Sequence, residues 1–177
     1  INIKIAGNNI IKQIFAIDMP VPFLSLLIDD CIKNGRDYNA GGARYNTSYI
    51  QGVGIGSMTD SLTSLKYHVF DKKDISMEKF ITILKDNFKN HEDFRYNLLC
   101  KTPKYGNDDD YADGILKQVF EAFFNAIDGR PTPRGGKHRI NLLPTTCHIY
   151  FGKVIGALPD GRKAGEPLSE GISPVQG

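Results

Sequence analysis

Ala157-Leu-Pro-Asp-Gly-Arg-Lys-Ala-Gly-Glu-Pro-Leu-Ser-Glu-Gly-Ile-Ser-Pro-Val-Gln-Gly177 is a long irregular run, crowded with Gly and Pro yet not low in complexity. A plain flexible linker has a simpler composition. Pro159-Asp160-Gly161 is a turn with a mechanism: Pro presets φ, Asp bonds nearby backbone, and Gly accepts positive φ. Loops specified to this degree support or border functional sites.

Working back from this run, residues 139–151 are rich in β-branched and aromatic residues and are interrupted by Pro144, which predicts a strand with a bulge or break. Upstream lies a series of helical patterns. One begins near Asp109 and carries Leu116, Phe120, Phe123 and Ile127. A shorter one covers residues 93–101. Ser76 caps another, with Met77, Phe80, Ile81, Leu84 and Phe88 on one side. Ser57 with Asp60 makes a capping-box-like start to a helix whose expected core face is Met58, Leu62, Leu65 and Val69. Residues 44–53 read as a strand. Pro22 suits a first helical position, with Leu24, Leu27, Ile28 and Cys31 at helical spacing until Gly35. Residues 1–5 alternate like a strand, whereas residues 8–19 read as a helix. Two strands separated by a long helical excursion suit a segment of a large α/β barrel, whose strand edges need neighbours.

The 177 residues are 41% hydrophobic and 24% charged, which is ordinary globular material. A chain of this length buries roughly 70% of its unfolded surface. The net charge of +2 comes from interspersed Lys, Arg, Asp and Glu, so no nucleic-acid surface is indicated. No run of eighteen apolar residues is present, so no membrane span is expected. Cys31, Cys100 and Cys147 are odd in number and widely spaced, which argues against a disulfide framework or zinc. Cys31 and Cys100 sit among apolar residues, where Cys is expected to be buried.

Four blocks together carry a family resemblance: Asp37-Tyr-Asn-Ala-Gly-Gly-Ala-Arg-Tyr-Asn46, Pro103-Lys-Tyr-Gly-Asn-Asp-Asp-Asp110, Arg134-Gly-Gly-Lys-His-Arg139 and the run from Ala157 to Gly177. In this order they resemble the pyruvate formate-lyase and glycyl radical dehydratase superfamily, and the last resembles the stretch preceding its glycyl-radical domain. The resemblance runs from at least Pro22 to Gly177. It implies an internal segment of one large ten-stranded barrel domain, mostly helical with about two barrel strands and no domain boundary. It also implies an oxygen-sensitive cytoplasmic enzyme, a homodimer, using a glycyl radical that a radical S-adenosylmethionine activase installs. The family's Gly-Cys-x-Glu loop and Arg-Val-x-Gly-Tyr loop are both absent from this sequence. No catalytic residue, bound cofactor or metal is therefore expected in the segment, which should be inactive alone.

Asn141-Leu-Leu-Pro-Thr-Thr-Cys-His-Ile-Tyr-Phe-Gly152 is most similar to the dehydratases that remove water from trans-4-hydroxy-L-proline. Glycerol or propane-1,2-diol dehydratases, formate C-acetyltransferases and choline-cleaving lyases are the alternatives within the superfamily. A non-catalytic scaffold module is an alternative of another class. Within this stretch, Pro144 frees the backbone from its ladder, and Leu143, Thr145 and Thr146 are expected to contact a small polar substrate. A plain bulged strand accounts for the same residues equally well. Cys147 lacks the neighbours of the family's radical Cys.

Three other features read as structural. Gly52-Val-Gly-Ile-Gly-Ser57 sits where a dinucleotide-binding turn would, but Ser57 breaks the fingerprint, so Ser57 is expected to cap a helix. Asp108, Asp109, Asp110 and Asp113 suit a helix dipole better than a metal, with Lys104 as a neighbouring partner. Arg134-Gly-Gly-Lys-His138 could hold a lone phosphate, but a loop entering a strand needs the same glycines.

Overall fold

The computed structural model describes residues 1–175; Gln176 and Gly177, the last two of the closing run, lie outside the described residues. The described residues form two compact units, residues 1–50 with 123–141 and residues 51–122 with those from 142 onward.

In the first unit, α1 (Asn2–Asp18) takes in the opening residues that alternate like a strand. Ile5 lies on the inner face of that helix and packs with Ile50 and Ile127, with Phe123 and Ile140 around them. Helical burial of one residue thus overrides a five-residue alternation. α2 (Pro22–Leu26) starts at Pro22, and α3 (Asp29–Asn34) ends at Gly35 in the left-handed region, as the sequence predicts. Cys31 is buried. β1 (Ser48–Gln51) and β2 (His138–Asn141) form a two-stranded parallel sheet.

In the second unit, α4 (Ile55–Leu65) runs into a π-helical turn over Lys66–Asp71. α5 (Met77–Lys85) follows, with the Ser76 hydroxyl accepting from the Lys79 amide as expected. α6 (Glu92–Cys100) comes next, and α7 (Asp110–Ile127) begins in this unit. The core is Phe80, Ile83, Phe88 and Leu98, with Leu65, Val69, Leu84 and Phe94 packed against it.

The other half of the expected α4 face is turned outward. Met58 and Leu62 are exposed, whereas Thr59, Asp60, Thr63 and Ser64 are fully buried. Short side chains on the inner face let neighbouring loops approach the helix closely, and that packing outweighs the apolar stripe. Cys100, expected to be buried, is exposed at the end of α6.

The strand expected over residues 139–151 is shorter. β2 stops at Asn141, residues 142–146 are irregular, and α8 (Cys147–Val154) is helical despite its β-branched and aromatic content. Pro144 therefore lies outside the ladder and makes no bulge in it. The α/β reading, mostly helix with two strands, holds.

Candidate functional site

The second unit is organised around the closing run. Leu158-Pro159-Asp160-Gly161 is a hydrogen-bonded turn in which the Gly161 amide donates to the Leu158 carbonyl at 3.1 Å and Gly161 has φ +98°. Asp160 Oδ1 accepts from the Arg162 amide at 2.9 Å, the local bond expected of Asp there. Arg162 is 4% exposed. Its guanidinium donates to the carbonyls of Gly152 at 2.6 Å, Gly156 at 2.7 Å and Glu166 at 2.8 Å. One side chain thus ties the end of α8 to the loop that follows it. From α6, Arg95 Nε donates to the Gly161 carbonyl at 2.8 Å.

Beneath this turn lies an ionic cluster that the sequence does not announce. Lys104, 3% exposed, donates to the Asp160 carbonyl at 2.8 Å and lies 3.9 Å from the fully buried Asp60 carboxylate. Asp60 Oδ1 accepts from the Tyr105 amide at 2.8 Å. Lys104 therefore serves Asp60 and Asp160 and not the acidic run. That run starts α7 instead, with Asp110 and Asp113 in the first turn and Asp109 accepting from the Tyr111 amide.

Burial pushes the Asp60 carboxyl up to about 6, with the nearby Asp160 charge adding to it, while the Tyr105 amide and Lys104 oppose the rise. The folded chain therefore binds this proton more tightly than the unfolded chain, whose value is 3.8. Asp60's contribution is greatest below about pH 4 and declines as pH rises through about 6, by roughly 2–3 kcal/mol. Asp60→Asn should flatten that part of the stability–pH curve, as followed by thermal unfolding between pH 4 and 7. An unchanged slope would place the titration elsewhere.

The N-terminus of α4 is held by the same run. Gly54, not Ser57, is the N-cap residue. Ser57 and Ser169 bond reciprocally, amide to hydroxyl at 3.0 Å and amide to hydroxyl at 2.9 Å in return. The expected capping box is absent, because Ser57 faces Ser169 and Asp60 faces Tyr105. A loop of the chain itself occupies the place a nucleotide phosphate would take.

The sequence-predicted site residues follow β2. Leu143 is 61% exposed, Thr145 is half-buried and Thr146 is exposed. Gln51, the last residue of β1, donates from Nε2 to the Leu143 carbonyl at 2.7 Å. Thr146 is the N-cap residue of α8, and the Thr145 hydroxyl accepts from the Cys147 amide at 3.4 Å. His148 Nδ1 donates to the Thr145 carbonyl at 2.5 Å. The closing run supports the segment from behind: Leu168 N donates to the His148 carbonyl, and a Cβ on Gly171 would sit 2.4 Å from the Leu142 carbonyl oxygen. The three residues are thus brought together on one short, braced strand-to-helix junction, which presents two hydroxyls and one apolar side chain. Gln51 was missed by sequence reasoning; its place at the end of the neighbouring strand is the signal that could have found it. Among the described residues no group of His, Cys, Asp or Glu is placed to hold a metal ion, and no helix is long and apolar enough to cross a membrane.

Comparison with known proteins agrees with this architecture. Residues 1–152 match the family described as pyruvate formate lyase-like, and the chain belongs to that family. It is 56% identical over 177 residues to the trans-4-hydroxy-L-proline dehydratase of Clostridioides difficile, covering 100% of this chain and 22% of that protein. The crystal structure of that enzyme with trans-4-hydroxy-L-proline bound superposes with a TM-score of 0.94 over 98% of this chain and 22% of that one. The glycerol-bound B12-independent glycerol dehydratase of Clostridium butyricum gives 0.90 at 38% identity, over 97% of this chain and 22% of its own. A glycyl radical enzyme from Archaeoglobus fulgidus gives 0.91 at 39% identity, over 99% and 22%. The chain spans about a fifth of the length of these relatives.

Proposed function

We propose that this chain is part of a glycyl radical dehydratase that removes water from trans-4-hydroxy-L-proline. The observation that carries this reading is the 56% identity, unbroken over the whole segment, to a dehydratase of that substrate, against 38% to the glycerol enzyme. The segment would belong to one large barrel domain of a cytoplasmic homodimer, activated by a radical S-adenosylmethionine enzyme. The radical, borne by a glycine outside this sequence, would supply hydrogen abstraction through a cysteine that is also outside it.

Leu143, Thr145 and Thr146 would contribute binding. In β/α barrels the loops after the C-terminal ends of strands carry the site, and residues 142–146 follow β2 in that position. The Thr145 and Thr146 hydroxyls would hydrogen-bond the polar groups of a hydroxylated amino acid, and Leu143 would pack on its ring carbons. His148, fixed through Nδ1, would hold the turn in place.

A lost hydroxyl–substrate bond costs about 0.5–1.5 kcal/mol, or more if the partner is charged. Thr145→Val and Thr146→Val in the full-length enzyme should each lower kcat/KM about 2- to 12-fold while leaving the glycyl radical yield unchanged. Parent-like turnover in both, or a radical yield that falls in step with activity, would reduce the two residues to scaffold.

A further inference from the structure

The first unit contains a cationic cavity that the proposed dehydratase chemistry does not use. It has a volume of about 220 Å³ and is lined by Asn8, Ile11, Lys12, Phe15, Asn39 and Arg134. Asn8, Lys12 and Phe15 recur at helical spacing on one face of α1, so one side of the cavity is a rigid helix wall. Arg134 comes from the opposite side, on the tight turn Thr132-Pro133-Arg134-Gly135, closed by the Gly135 amide on the Thr132 carbonyl and flanked by the Pro131–Lys137 bridge.

Arg134 is held in position. Its guanidinium lies 4.6 Å over the Tyr38 ring, and Nη2 donates to Asn46 Oδ1 at 3.4 Å. The 37–46 loop can come this close because of glycine: a Cβ on Gly41 would lie 2.6 Å from the Arg134 carbonyl oxygen, and one on Gly136 would lie 1.9 Å from that of Asn46. Two blocks of the family resemblance, Asp37 to Asn46 and Arg134 to Arg139, therefore meet to orient one cation.

That cation lacks an acid. Among the described residues neither Lys12 nor Arg134 forms an ion pair, and Arg134 Nε is buried without a hydrogen-bond partner. Asp37 is committed elsewhere, accepting from the Val21 amide, the Ser25 hydroxyl and the Asn39 amide. Burial first, and the neighbouring Arg134 charge second, hold Lys12 below the usual ammonium range. Orienting an arginine by stacking and close backbone packing, beside a lysine and with no counter-charge, favours a bound anion over a merely solvated face.

We infer that Lys12 and Arg134 form a binding site for a carboxylate carrying a short hydrocarbon portion. The two cations take the carboxylate oxygens, and the exposed apolar rim of Ile11 and Phe15 covers the hydrocarbon. The carboxylate is either a free organic acid or an Asp or Glu side chain from elsewhere in the protein.

The test uses the full-length protein in chloride-free buffer at fixed ionic strength, with butyrate and acetate as probes, read by titration calorimetry and thermal unfolding. Lys12→Gln is the main variant because Lys12 is only half-buried on a helix face; Arg134→Lys is the second. A free acid predicts saturable butyrate binding to the parent, tighter than acetate, and weakened about tenfold or more in Lys12→Gln. An internal carboxylate predicts no response to either probe but a lower Tm in both variants than in the parent, with the gap narrowing as salt is raised. The site is overturned if the probes bind parent and Lys12→Gln equally. It is also overturned if neither probe binds and Lys12→Gln leaves the Tm unchanged or raises it, the result expected from simple relief of repulsion between Lys12 and Arg134.

Discussion

Arg162→Met is expected to destabilise the second unit by about 3–5 kcal/mol, the cost of breaking a buried, fully hydrogen-bonded charge network. The side chain is 4% exposed and gathers carbonyls from the end of α8 and from the loop beyond it. The carbonyls of Gly156 and Glu166 would be left without their guanidinium donor, each an orphan worth about 1–3 kcal/mol if it stays buried. Methionine approximates the volume of the stem and donates nothing. Arg162→Lys should recover less than half of the loss, because one ammonium cannot span the carbonyls of Gly152, Gly156 and Glu166 as a planar fork does. Hydrogen exchange of residues 152–167 checks this locally. Protection in Arg162→Met equal to that of the parent would mean that the loop is held by something else.

Lys104→Met is expected to cost a similar amount, about 3–5 kcal/mol at neutral pH, for the opposite electrostatic reason. Here the side chain removed is the cation between two buried carboxyls, Asp60 at 0% and Asp160 at 2% exposure. Without it both carboxyls should be driven further toward the protonated form, so the loss should be largest at high pH and shrink as pH falls toward about 6, where Asp60 is protonated in the parent as well. The double variant Lys104→Met, Asp60→Asn should be more stable than Lys104→Met alone at pH 7. A double variant with the sum of the two separate losses would show that Lys104 and Asp60 do not interact.

These two networks explain which parts of the fold are legible in the sequence. The Ser76 cap of α5, the Pro22 start of α2, the Gly35 stop of α3 and the Leu158–Gly161 turn are local devices, and each is visible in a few consecutive residues. α8 is not visible in this way. Thr-Thr-Cys-His-Ile-Tyr-Phe has strand composition, and the helix is settled by tertiary bonds, including the grip of Arg162 on Gly152 and of Leu168 on His148. Lys104 reaches Asp160 across 56 residues, a pairing that no local pattern announces. The inner face of α4 was misread because a helix packed closely by loops buries small hydroxyls, while Met58 and Leu62 stay outside. For the candidate site, the bulge expected from Pro144 is not what the chain forms. Leu143, Thr145 and Thr146 lie at a strand-to-helix junction, not at a bulge within a strand.

The proposed activity, removal of water from trans-4-hydroxy-L-proline by a glycyl radical dehydratase, is tested on the full-length protein. The most direct measurement activates the full-length protein anaerobically, quantifies the glycyl radical by electron paramagnetic resonance, and compares turnover of trans-4-hydroxy-L-proline, glycerol and propane-1,2-diol on the same preparation. A radical is expected to form, and trans-4-hydroxy-L-proline is expected to lose water with the highest kcat/KM of the three. A well-formed radical with turnover of glycerol or propane-1,2-diol, and none of trans-4-hydroxy-L-proline, would contradict it.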